Sequence, residues 1–333
     1  MSSSHPRSRS SVQRSAWSRR ECLQVLGASL VGAVAWPTVS AAAADDDLKQ
    51  KAKKNFRLGV DANPYSQLPV AEAVRRIREE GFSNVLTSYT FADVRFDPWN
   101  PDWKAADTIT GCFREYDVRI ATVFGYYNVV DPDPARRRKG EERMEFFIAN
   151  WKRLGCPLLS TETGTLNRES EWVDAPENES EESYVACRKA FSRLVGLAEK
   201  AGAVIAFEAY WQNIIRTIDR AERLLNDIPS PAFQLVMDPC NYLRKEDLPQ
   251  MQPMLEDMFR RLGKRIVIAH AKDVKAAEKG TDLPASGLGV LDYPLYLRLL
   301  AQLDRPLDLI VEHVTLPDVP RARDYVLAQM EKI

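Results

Sequence analysis

The 333-residue chain has no surplus of either charge: 46 Lys and Arg stand against 47 Asp and Glu, a formal net charge of -1. Binding to nucleic acid rests on clustered positive charge, so this balance argues against a nucleic-acid partner. Five arginines (Arg7, Arg9, Arg14, Arg19, Arg20) fall in the first 44 residues, leaving the remainder more acidic, with 41 basic and 46 acidic residues. Glycine is sparse at 15 residues; no Gly-x-Gly-x-x-Gly turn follows the first predicted strand, and no P-loop is present. The usual cradles for dinucleotides and nucleoside triphosphates are therefore missing. Histidine is rarer still, with three residues, only His270 and His313 lying beyond the N-terminal segment. Long apolar runs are absent too. The best, Val25 to Trp36, is short and diluted by Gly and Ala, too little to span a bilayer, so no stable membrane anchor is expected.

What the N-terminus does have is an address. Ser18-Arg19-Arg20-Glu21-Cys22-Leu23 resembles a twin-arginine export signal, and Ala42-Ala43-Ala44 supplies a small-residue cleavage pattern before Asp45-Asp46-Asp47. Residues 1–44 are thus expected to be a cleaved signal peptide, with 45–333 the mature domain in the periplasm or secreted. That route carries folded proteins, often with a cofactor already loaded. Cys112, Cys156, Cys187 and Cys240 would then meet a reducing compartment while folding, which favours buried free thiols over two disulfides.

From residue 56 onward, short apolar runs alternate with stretches of helical period. Strands are expected at 56–60, 83–88, 118–124, 157–161, 203–207, 233–237, 265–269 and 307–311. Between them, stripes such as Met144, Phe147, Trp151, Leu154 and Ile214, Ile218, Ala221, Leu225 mark helices. The longest loop runs from Asn167 to Glu182. Runs that are apolar throughout and alternate with amphipathic helices indicate a parallel sheet covered on its outer face. Eight such units without a linker predict a single (β/α)8 TIM barrel.

Four late strands end alike: Phe207-Glu208, Met237-Asp238, Ala269-His270 and Val311-Glu312. Each puts an ionisable side chain at the end of a buried run, which is costly unless compensated. On a barrel these four ends share the C-terminal rim and can converge on one divalent ion. Three carboxylates and an imidazole form a hard, oxygen-rich set, so manganese, magnesium, cobalt and zinc all remain possible; manganese is the first expectation. Taken singly, Asp238 before Pro239 also reads as a turn residue, and His270 as a core histidine. Glu162 at the end of the fourth strand could hold hydroxyl groups of a ligand or brace a loop, and Trp211 could stack on a ligand or pack against a neighbouring loop. His313, by strand alternation, should point away from the pore.

These pieces, with His270-Ala271-Lys272-Asp273 and Gly287-Leu288-Gly289-Val290-Leu291-Asp292, resemble the sugar phosphate isomerase/epimerase group with the xylose isomerase-like barrel, over essentially all of residues 56–333. The resemblance implies that Glu208, Asp238, His270 and Glu312 hold the metal and that Glu208 and Glu312 also carry protons on either face of a bound sugar. Lys272, Asp273 and Asn241 are expected to make substrate contacts. Epimerases of the group usually have His where Asn241 stands, and Asn cannot shuttle a proton. The expected function is a metal-dependent sugar isomerase or epimerase acting by proton abstraction beside a carbonyl. A lyase or hydrolase of 3-keto-glycosides on the same site, and an exported carbohydrate-binding protein, are the alternatives. The related barrel of endonuclease IV needs a trinuclear zinc site with many more histidines than this chain has. The partner is a small sugar or keto-sugar; a homo-oligomer is left open.

Overall fold

Apolar runs of four to six residues, each followed by an amphipathic segment, close on one another in the computed structural model, which describes residues 41–333. The expected signal peptide lies outside the described residues except for 41–44, which open the first helix. In chain order the elements are α1 (Ala41–Asn55), β1 (Phe56–Asp61), α2 (Val70–Glu79), β2 (Asn84–Thr87), α3 (Trp103–Glu115), β3 (Arg119–Phe124) and α4 (Pro134–Leu154). There follow β4 (Leu158–Glu162), α5 (Glu181–Ala201), β5 (Val204–Glu208), α6 (Ile218–Asp227), β6 (Phe233–Met237) and α7 (Met251–Leu262). The barrel ends with β7 (Ile266–Ala271), α8 (Tyr293–Gln302), β8 (Leu307–Val311) and α9 (Val319–Met330).

All eight strands pair in parallel with their sequence neighbours, and β1 closes the ring on β8, with Leu58 opposite Leu309. The fold is a single (β/α)8 barrel. Polar side chains set the helix boundaries. Asp133 caps α4 by accepting from the backbone N–H of Ala135 at 2.8 Å, and Ser180 caps α5 by accepting from Ser183 at 3.1 Å. Thr217 caps α6 through Arg220 N–H at 3.2 Å. This corrects the reading of Ile214 as a helix residue: it is buried, but in the loop that precedes the cap. Two elements were not expected. One is α1, whose apolar contribution is thin (Leu48 and Ala52) and which packs on α8 and α9. The other is a two-stranded hairpin, Lys275–Ala276 with Thr281–Asp282, in the loop after β7.

The barrel interior is layered by the two-residue period of its strands. Ala206, Val236, Ile268 and Ile310 point inward and, with Leu86 and Ala121, form one apolar layer. The alternate residues face the helices: Phe207 and Phe233 stack with centroids 5.1 Å apart, and Phe191 of α5 lies 5.2 Å from Phe233. Below the apolar layer, buried Asp308 accepts from Arg57 Nε at 2.9 Å and pairs with Arg119. Cys112, Cys156, Cys187 and Cys240 are free thiols, the last three buried. Among the described residues, no helix is long and apolar enough to cross a membrane.

Candidate active site

The layer arithmetic continues upward. Two residues beyond Ala206, Val236, Ile268 and Ile310 come Glu208, Asp238, His270 and Glu312, which by the same period point into the barrel at its C-terminal rim. The structure brings these four together: one ligand atom from each lies within 4.8 Å of all the others, and every residue is buried. His270 Nδ1 stands 3.3 Å from Glu208 Oε1, 3.2 Å from Glu312 Oε2 and 3.7 Å from Asp238 Oδ2. Asp238 is also the turn residue it resembles, its Oδ1 accepting from Cys240 N–H at 3.1 Å while Oδ2 faces the cluster.

The field at this point is built for positive charge. Burial alone would depress the His270 pKa, yet Glu312 and Glu208 outweigh it and push the imidazole well above its usual value. Burial likewise opposes ionisation of Glu312 and Glu208, but His270 and Lys272 hold both below the ordinary carboxylate range. Lys272 is itself buried, its ammonium 2.6 Å from Asp238 Oδ2 and 2.8 Å from Glu312 Oε1. Carboxylates that gather one cation from the chain in this way suit a divalent ion, and the donor set, three carboxylates and one imidazole nitrogen, fits one.

Above the cluster opens a cavity of about 380 Å³, in the range of small-molecule sites. Of the residues expected at the substrate, Glu162, Asn241 and Lys272 line it; Trp211 and Asp273 do not. Asn241 donates its Nδ2 to Glu208 Oε1 at 2.7 Å, and the Tyr126 hydroxyl donates to Glu208 Oε2, so both oxygens of that carboxylate are held. Trp211 lies under the hairpin turn at Gly280 and 5.9 Å from the Arg244 guanidinium, the loop packing that is one of its two expected roles. Asp273 is spent on the loop after β7, accepting from the backbone N–H groups of Val274, Gly287 and Leu291, each at 2.9 Å. A side chain at Gly289 would collide with that carboxylate, and Gly287 adopts a φ of 82° against the Tyr325 ring, so each glycine of the Gly287-Leu288-Gly289 run has its own cause.

Sequence reasoning missed several lining residues. Asp61 closes β1, Val60-Asp61, much as the four ligands close their strands, and that signal was there to be read. Burial pushes its carboxyl up to about 6. Tyr126, Trp172, Tyr210 and Asn213 come from loops, where no periodicity announces them. His313 corrects the expectation that it points away: its φ of 56° breaks the strand alternation, and its ring lines the cavity with Nδ1 2.6 Å from Leu283 O. Glu162 is nearly sealed, at 2 % exposure, and burial drives its carboxyl well above the usual value.

A family model for the xylose isomerase-like TIM barrel matches residues 48–328. No curated protein sequence matches the chain. Among solved structures, a D-tagatose 3-epimerase-like protein superposes with a TM-score of 0.65 at 15 % identity, covering 83 % of this chain and 97 % of that one. The magnesium complex of a xylose isomerase-like TIM barrel protein from Mycobacterium smegmatis gives 0.63 at 15 % identity, covering 84 % and 98 %. The apo 3-keto-D-glucoside 4-epimerase from E. coli gives 0.62 at 16 % identity, covering 84 % and 100 %. At these identities the likeness is one of fold.

Proposed function

Because the chain belongs to the xylose isomerase-like TIM barrel family, we propose that it is a divalent-metal-dependent sugar isomerase or epimerase that moves a proton at a carbon beside a carbonyl. The observation that carries this reading is the pair Glu208 and Glu312. Both line one cavity from strands three positions apart in the barrel wall, and both reach the same His270 nitrogen. A substrate above them would lie between two proton carriers, so a proton could leave one face and return on the other. A divalent ion held by Glu208, Asp238, His270 and Glu312, with manganese the first expectation, would stabilise the negative charge developing on the substrate oxygen.

The chain's own residues define the rest. Tyr126 and Asn241 fix the orientation of Glu208 by hydrogen bonds to both its oxygens, whereas Glu312 has Lys272, His270 and, at 3.9 Å, His313 as ion-pair partners and no neutral donor of that kind. Glu312 is therefore the freer carboxylate and our first choice for base, with Glu208 as the second carrier. The Asn241 amide, committed to Glu208, leaves no shuttle at the position where epimerases of the group carry His. That substitution favours one second reading: a keto-glycoside lyase or hydrolase that starts from the same proton abstraction. We further propose that residues 1–44 export the folded enzyme. Arg19→Lys with Arg20→Lys should retain it in the cytoplasm, and unaltered export would remove that part of the proposal.

Proton exchange in heavy water is the direct test. Metal-loaded protein should wash deuterium into the carbon beside the carbonyl of a keto-sugar that it binds. Binding without exchange or turnover would reduce the protein to a carbohydrate-binding barrel.

A further inference from the structure

One wall of the cavity is more polar than the proton-transfer chemistry requires. We propose that Glu162 and Asn213 form a subsite for the hydroxyl groups of an uncharged polyol and so make the site selective for sugars without a phosphate or carboxylate group. The inference deepens the reading above and rests on it for where the reacting carbon lies.

Glu162 closes β4 opposite Glu208 in the strand register, yet neither of its carboxylate oxygens has a hydrogen-bond partner. Asn213 is fully buried, and its Oδ1 is equally unpartnered. Both line the cavity, so the wall presents three sealed oxygens with no partner from the chain. Buried acceptors left this way cost stability unless something else donates to them. The wall is firmly built. Ile214 N–H donates to Gly164 O at 2.9 Å and Ile215 N–H to Thr163 Oγ1 at 3.3 Å, which clamps the loop after β5 onto the end of β4. Gly164, at φ 76°, allows that approach; a side chain there would strike Asn128. The Tyr210 hydroxyl accepts from Gln212 Nε2 at 2.6 Å and keeps its own hydrogen to give, so the wall also offers one donor.

Charge decides what kind of ligand suits these groups. Glu208 and Glu312 line the cavity beside the unpartnered oxygens of Glu162 and Asn213, whereas its one lysine, Lys272, is committed to Asp238 and Glu312. Among the described residues no arginine lines it. A phosphate or carboxylate on the ligand would bring acceptors to acceptors; sugar hydroxyls bring the missing donors. A free keto-sugar and a glycoside share that chemistry.

The test measures equilibrium binding to the manganese-loaded full chain, using D-fructose, methyl β-D-glucoside and D-fructose 6-phosphate as probes, together with the thermal midpoint of the ligand-free protein. At least one neutral probe should bind tenfold or more tighter than the phosphate, and which one does so separates the free sugar from the glycoside. Glu162→Leu should weaken that binding roughly ten- to a hundredfold, the cost of a ligand donor left unpaired. It should also raise the thermal midpoint, because an unpartnered acid has gone. A merely structural acid would do the reverse. Glu162→Gln, which keeps one acceptor oxygen, should weaken binding less, and it decides the matter if the Leu variant folds poorly. Metal content should stay at the wild-type level in both. Neutral probes that fail to bind, or bind no tighter than the phosphate, overturn the inference, as does unchanged affinity in both variants. Glu162-dependent binding with no deuterium exchange would spare the subsite and remove the isomerase reading; exchange indifferent to Glu162 would do the opposite.

Discussion

Strand β8 carries a buried carboxylate at each end of the barrel, Asp308 below the apolar layer and Glu312 above it, both on inward positions. Asp308 meets two arginines, Arg57 near the start of β1 and Arg119 at the start of β3, which neutralise it within the fold. Glu312 meets a histidine, a lysine and, close by, two further carboxylates, so the upper end carries negative charge that the chain does not fully balance. The same residue chemistry on the same strand thus serves stability at one end and leaves unmet demand at the other. Unmet demand is what a site for ions and substrates looks like before they arrive.

The contrast can be broken most severely at the top. Glu312→Gln keeps size and one oxygen but cannot accept a proton, so turnover should fall by roughly 10²–10⁴-fold with the fold intact. Near wild-type turnover at full metal occupancy would refute the two-carboxylate mechanism. His270→Ala should empty the metal site, taking elemental analysis from about one divalent ion per chain to none; retention of the ion would show that the cluster is not the ligand set. At the bottom, Asp308→Ala should leave metal content and turnover unchanged and cost about 1–3 kcal/mol in denaturant unfolding, less than a fully buried pair because the Arg57 side chain is 36 % exposed. A loss of activity larger than the loss of stability would mean that the two ends are coupled.

The smallest effect concerns Asp61 in chelator-treated protein. Its folded pKa of about 6 lies above the unfolded value, so its contribution to stability is complete below about pH 4 and is lost as the pH rises through 6. Asp61→Asn, which imitates the protonated acid, should therefore melt higher than wild type at pH 7–8 and converge with it near pH 4. A difference independent of pH would show that Asp61 is not raised.

The barrel was legible because its evidence is repetitive. The eight apolar runs fall within a residue or two of the observed strands, the helical stripes lie on the observed helices except at Ile214, and the four strand-end ligands inherit their positions from the strand period. Legibility stopped where the chain leaves the period. His313 turns inward through one left-handed residue, Trp211 packs under a hairpin too short to announce itself, and Asp273 is consumed by backbone groups that no pattern identifies in advance. Asn213 and Tyr210 reach the cavity through a loop whose shape depends on hydrogen bonds to β4, a segment about fifty residues earlier. Helix α1 escaped because its lysine- and aspartate-rich surface carries almost no apolar stripe and it is tied down partly by ion pairs such as Lys51 with Asp304.

The two-residue period that aims Glu208, Asp238, His270 and Glu312 inward also fixes which changes of length the gene can survive. One residue gained or lost within β5 would exchange Phe207 for Glu208, placing a carboxylate among the phenylalanines of the helix layer and a phenyl ring over the ion site. The same holds for β6, β7 and β8. Between Arg168 and Val173, by contrast, the chain runs as a mostly exposed loop, and length there is cheap. Insertions and deletions in this lineage should therefore accumulate beside the mouth of the cavity and stop short of its floor, so that the choice of substrate can drift while the ion-binding chemistry is inherited unchanged.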